Sequence, residues 1–123
     1  MLKIGLKYES STVVAANNTA LALGSGDMEV FATPAMVALM ENAAMKAVAD
    51  YLPEGSATVG IEISTSHLKA SPVGASVSAV AELVEIDGRR LLFEVKAYEG
   101  DKLIGECRHS RFIVDRERFL SKL

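Results

Sequence analysis

The chain has 123 residues, 50% apolar and 24% charged, with a net charge of −3 and a single cysteine. That length and composition suit one domain over residues 1–123 with a real core, and exclude a disordered or fibrous chain. They also leave no basic face for nucleic acid, no internal disulfide and no Cys/His set at zinc spacing, so neither a nucleic-acid partner nor a metal is expected.

Met1–Ser10 lacks the apolar stretch and small-residue site of a cleaved leader, and no apolar run is long enough to span a bilayer. A cytoplasmic location with no membrane partner is the expectation. Leu2, Ile4 and Leu6 alternate with Lys3, Gly5 and Lys7, which predicts a short half-buried strand, and Thr12–Ala16 suggests a second. Asn17-Asn18 and Gly24-Ser25-Gly26 read as flexible points in a small, polar loop that precedes the helix, a place where lids and binding segments occur.

Thr33–Asp50 is the strongest element. Thr33 reads as an N-cap with Pro34 in the first turn, and the run that follows is apolar almost all round, as for a helix enclosed by other structure. At about 100° per residue, Asn42, Lys46 and Asp50 form one solvated stripe, whereas Glu41 lies about 180° from Asp50 among Val37, Ala38, Ala44, Met45 and Val48. A carboxylate is thus aimed at the interior, where it is paired, neutralised or kept by function.

Tyr51–Gly55 ends the helix. In the next strand Val59, Ile61, Ile63, Thr65 and His67 share one parity, which puts the His67 imidazole on or at the end of the buried face. A strand starting at Val77 slips parity near Val84–Ile86, as a bulge would make it do. Asp87-Gly88 turns into Leu91–Tyr98, and a last strand from about Leu103 to Val114 precedes Asp115, which resembles the N-cap of a short charged tail. The result is α+β: one helix wrapped by an antiparallel sheet. A single sheet covers only one side of the helix, so a homodimer is expected.

Thr33, Glu41 and His67 are the groups that can carry chemistry. Eight residues separate Thr33 from Glu41, about 12 Å along a helix, so they act at opposite ends of a small group or converge across a dimer interface. A carboxylate and an imidazole supply a nucleophile or base and an acid when environment pushes their pKa values apart. Cys107 and His109 share a strand face and superficially suggest a nucleophile pair, with packing the ordinary role of such a thiol. Arg89, Arg90, Arg108, Arg111, Arg116 and Arg118 are scattered and read as surface charge, or in part as groups that meet the phosphates of a nucleotide-type ligand.

The segments EVFATPAMVALMENA (Glu29–Ala43), GIEISTSHLKASPVG (Gly60–Gly74), AELVEIDGRRLLFEVKAYEG (Ala81–Gly100) and IGECRHSRFIV (Ile104–Val114) resemble the hotdog-fold acyl-CoA thioesterases, within them the fluoroacetyl-CoA thioesterase-like group. The resemblance implies a hotdog fold dimerising with its active sites at the subunit interface, and catalytic roles for Thr33, Glu41 and His67. It also implies that Gly60 lies near the acyl pocket and that coenzyme A enters as part of the substrate, with no cofactor. The implied reaction is hydrolysis of a small acyl-CoA, with Glu41 as nucleophile or general base assisted by His67 and Thr33. Asn17–Asp27 contains no aromatic residue where the fluoroacetyl-specific enzyme has them, so a general small acyl group is expected. A non-catalytic acyl-CoA binding module and a hotdog hydratase or dehydratase are the alternatives on the same fold.

Overall fold

The computed structural model describes residues 1–123. Five antiparallel strands, β1 (Lys7–Val13), β2 (Ser56–His67), β3 (Ser76–Asp87), β4 (Arg90–Glu99) and β5 (Lys102–Asp115), form one sheet in the order β1-β3-β4-β5-β2. Three helices accompany them: α1 (Ala20–Leu23), α2 (Thr33–Ala49) and α3 (Arg116–Ser121). The long helix α2 lies across the sheet, and β1 and β2 are its two edges.

The core follows the alternation read in the sequence. Val77, Ala79, Ala81 and Leu83 of β3 and Leu91, Phe93, Val95 and Ala97 of β4 are buried against Met36, Met40, Ala43, Ala44, Ala47 and Val48 of α2. The anticipated bulge in β3 is present as a register shift between Leu83 and Glu85. Asp115 caps α3, its side chain accepting from the Arg118 N–H at 2.9 Å.

Four local expectations change. Residues 1–6 are not a strand: Gly5 turns with φ +97°, and pairing begins at Lys7 and runs through Val13. Asn17-Asn18 is not a loose joint, because the Asn18 side chain accepts from the Ala15 N–H at 2.8 Å and donates to the Val13 carbonyl at 3.1 Å. The helix is not enclosed all round; Ala38, Met45 and Ala49 are exposed. The Asn42 end of the polar stripe is tucked under β1, where the Ser10 hydroxyl donates to it at 2.7 Å, while Lys46 lies over the Tyr8 ring.

The fourth change is in β2. Its ladder with β5 shifts between Gly60 and Glu62, so Ile61 is the extra residue of a bulge. The inward face therefore passes from Thr58 and Gly60 to Ile63, Thr65 and His67, and Ile61 is left 47% exposed rather than buried.

Candidate functional site

Two polar clusters lie between α2 and the β2–β5 end of the sheet. The first is built on the start of α2. The N-cap position belongs to Ala32, which makes no side-chain cap bond; Thr33 is the first helical residue and is not the cap its sequence suggests. Its hydroxyl is thereby released from capping and lies 2.8 Å from Nδ1 of His67. Phe31 packs edge-on against the same imidazole with centroids 6.5 Å apart.

Burial lowers the His67 pKa, opposed by the Lys69 backbone, which favours the charged ring without making a hydrogen bond to it. The neutral ring has two tautomers: either the Thr33 hydroxyl donates to Nδ1, or Nδ1–H donates to the hydroxyl and leaves Nε2 basic. Nε2 is buried and has no hydrogen-bond partner. A cavity of about 230 Å³ lies in front of the pair, walled by Phe31, Leu68 and Lys69 and, from the preceding loop, by Ala20 and Ser25.

The second cluster surrounds Glu41, two turns further along the helix. Its carboxylate is 42% exposed, makes no hydrogen bond and lies 3.9 Å from Nη1 of Arg111, an ion-pair distance without direct bonding. Gly60 lies directly against it. A Cβ on Gly60 would sit 3.0 Å from Glu41 Oε2, 3.2 Å from His109 Cε1 and 3.5 Å from Arg111 Nη1. The bulge at Ile61 is what turns residue 60 inward to this point.

Arg111 is buried, not part of the scattered surface charge suggested by composition. Its Nε donates to Thr58 Oγ1 at 2.8 Å and its Nη2 to the Thr58 carbonyl at 2.9 Å. Its Nη1 lies 3.1 Å from His109 Nε2. Burial lowers the pKa of Arg111, and Glu41 raises it. The sequence reading took Arg111 as surface charge and His109 only as a partner for Cys107; the structure sets both beside Glu41. The signal was present in β5, where Cys107, His109 and Arg111 fall on one parity and two of the three are polar on an inward face.

Cys107 and His109 do not form a nucleophile pair. Burial, aided by the Glu41 charge, pushes the Cys107 thiol up to about 12, so it is protonated at neutral pH, and His109 is bonded elsewhere. No group of three or more His, Cys, Asp or Glu side chains converges as a metal site would require. No helix is long and apolar enough to cross a membrane.

The family model of the fluoroacetyl-CoA-specific thioesterases matches residues 14–117. A fluoroacetyl-CoA thioesterase of Streptantibioticus cattleyicolor is 42% identical over 95 residues, which is 77% of this chain and 68% of that one. A crystal structure of the fluoroacetyl-CoA thioesterase superposes with a TM-score of 0.91 at 35% identity, covering 99% of this chain and 95% of that one. A mutant form in complex with fluoroacetate and CoA gives 0.89, also at 35% identity, over 96% and 99%. A thioesterase superfamily member from Thermus thermophilus gives 0.90 at 29% identity over 98% and 90%. A hot-dog-like protein from Thermanaerovibrio acidaminovorans, at 20% identity and 0.89 over 98% and 90%, shares the fold. The helix wrapped by an antiparallel sheet is therefore a hotdog fold, and the chain belongs to the fluoroacetyl-CoA-specific thioesterase family and is an acyl-CoA thioesterase.

Proposed function

We propose that the protein hydrolyses the thioester of a small acyl-CoA, with Glu41 acting on the carbonyl and Thr33 and His67 serving the other side of the same group. The observation that carries this is the Glu41 carboxylate. It is free of hydrogen bonds, faces the space left by Gly60, and has the fixed positive charge of Arg111 at 3.9 Å. A carboxylate held this way is available either to attack the carbonyl, giving an anhydride that water then opens, or to take the proton of an attacking water. In both routes a C–O bond replaces the C–S bond, and the proton given up by the attacking water ends on the departing sulfur. His67, neutral and hydrogen-bonded to Thr33, accepts that proton and passes it on, and the Thr33 hydroxyl polarises the reacting group.

The two clusters come together in a homodimer. Along β2, with Ile61 bulged out, Gly60 and His67 are six rungs of the ladder apart, about 20 Å at the usual strand rise, so one chain's Glu41 does not serve its own His67. β2 is an edge, with Ile61 exposed on it, and the neighbouring helix face exposes Ala38, Met45 and Ala49. Two β2 strands pairing antiparallel about a two-fold axis near Ile63 and Ser64 would set Gly60 and Glu41 of one protomer opposite Thr33 and His67 of the other. The substrate group would lie between them.

Fluoroacetyl-CoA, the substrate in the names of the relatives, belongs to the small acyl class proposed, and the cavity near Thr33 has no aromatic from Asn17–Asp27 to narrow it. The test is release of free thiol from a panel of short, branched, aromatic and halogenated acyl-CoAs by the native protein and by Glu41→Gln. Hydrolysis of the small members, reduced by two or more orders of magnitude in the variant, is expected. Native turnover by Glu41→Gln would remove the carboxylate from the chemistry.

A further inference from the structure

The bulge in β2 takes Ile61 out of the ladder, and the Glu62 carbonyl beside it accepts a side-chain hydrogen bond: His109 Nδ1 lies 2.8 Å from it. A carbonyl only accepts, so Nδ1 carries the ring proton and Nε2 is left as a lone pair. That lone pair accepts from Arg111 Nη1 at 3.1 Å. Thr58 holds the other two nitrogens of the same guanidinium, so each of its three nitrogens has a partner on β2 or β5. Thr58 sets the plane of the guanidinium, and His109 is the acceptor for the one nitrogen Thr58 leaves free, Nη1, which is the nitrogen that lies 3.9 Å from Glu41.

We infer that His109 is a positioning residue of the thioesterase reaction: its imidazole, bonded at both nitrogens, takes one N–H of Arg111 Nη1 and so directs the remaining charge of that nitrogen at the Glu41 carboxylate in front of Gly60. The inference rests on the reading of Glu41 as the group that does chemistry. The surroundings of the ring fit a neutral state. From α2 it meets the Glu41 charge, from β5 the Arg111 charge, from β2 the Glu62 carbonyl, and from β4 the Phe93 ring at 6.5 Å. Burial and Arg111 lower its pKa, against the Glu62 bond and Glu41, which raise it. A proton on Nε2 would turn the acceptor into a donor aimed at a cation and release Nη1.

The role separates from mere packing by three readouts. His109→Leu removes the acceptor, and kcat is expected to fall on the order of tenfold or more with KM for acyl-CoA nearly unchanged, as for loss of a buried acceptor behind a reacting group. His109→Gln, whose amide can both donate to Glu62 and accept from Arg111, restores most of that loss. In an Arg111→Met background, His109→Leu costs nothing further. A native kcat in His109→Leu, no rescue by Gln, or a full effect persisting without Arg111 would each overturn the assignment.

Nitrogen-15 NMR of the native protein decides the matter independently of how the variants fold. It should show Nδ1 protonated, Nε2 bare, and no titration at or above 6.5, the ordinary imidazole value; the opposite tautomer, or titration there, would overturn the inference. The two readings fail differently. Native turnover by Glu41→Gln would end the assignment of the carboxylate. Native turnover by His109→Leu, with Glu41→Gln inactive, would end this one alone.

Discussion

At Gly60 a single methyl group decides how much room the proposed catalytic carboxylate of Glu41 has. Its backbone is not in the left-handed region, so alanine is allowed there and would lose less conformational freedom on folding, by about 0.5–1 kcal/mol. The added methyl would nonetheless press on Glu41 Oε2 at 3.0 Å and on His109 Cε1 at 3.2 Å. Glu41, the more exposed of the two, is the one that moves. Gly60→Ala is therefore expected to keep its melting temperature while turnover falls, because a displacement of about 1 Å in a reacting group costs on the order of a hundredfold. Equal turnover in the variant would place the reacting carbonyl away from residue 60. The place of Gly60 beside Glu41 is not legible from periodicity, since a glycine in an alternating strand gives no sign of what faces it. Arg111 was missed for a related reason: charge in a strand reads as surface until its partner across the ladder is known.

The bulk of the elements were legible because their periodicity is a direct trace of burial. The faces of β3 and β4 and the extent of α2 follow from spacing alone. What periodicity does not carry is a one-residue insertion in pairing. The β3 slip was readable because the apolar parity changes visibly there, whereas in β2 the apolar Ile61 occupies the bulge itself and hides it. The Thr33 capping expectation failed similarly, because the Ala32 backbone is extended and opens the helix one residue earlier.

At the level of one element against another, Gly105 sets how closely α2 approaches β5. A Cβ there would be 2.6 Å from Met36 Sδ and 2.9 Å from the Ser66 carbonyl. Gly105 also pairs across the ladder with His67. Gly105→Ala should destabilise the fold by about 1–3 kcal/mol as an overpacked core, lowering the melting temperature by several degrees, and should loosen the Thr33–His67 contact at the same place. A melting curve unchanged from native would show that Met36 has room to yield.

For the whole molecule, the proposed dimer makes a prediction that no single-chain site shares. If Glu41 of one protomer works with Thr33 and His67 of its partner, a mixture of inactive Glu41→Gln and inactive His67→Ala chains regains activity. Half of randomly mixed dimers would be heterodimers, each with one native site and one doubly altered site, so about a quarter of native activity is expected after the chains exchange. No recovery in dimers shown by mass to be mixed would put the groups in one chain.

The core position of Cys107 has a practical consequence. The reaction liberates a thiol, and the protein's own cysteine is shut inside the sheet and protonated up to about 12. Disulfide reagents that count released coenzyme A therefore see no background from the folded enzyme. Nor does the coenzyme A that accumulates have an accessible thiol on the enzyme with which to form a mixed disulfide, so the catalyst is insulated from its own product.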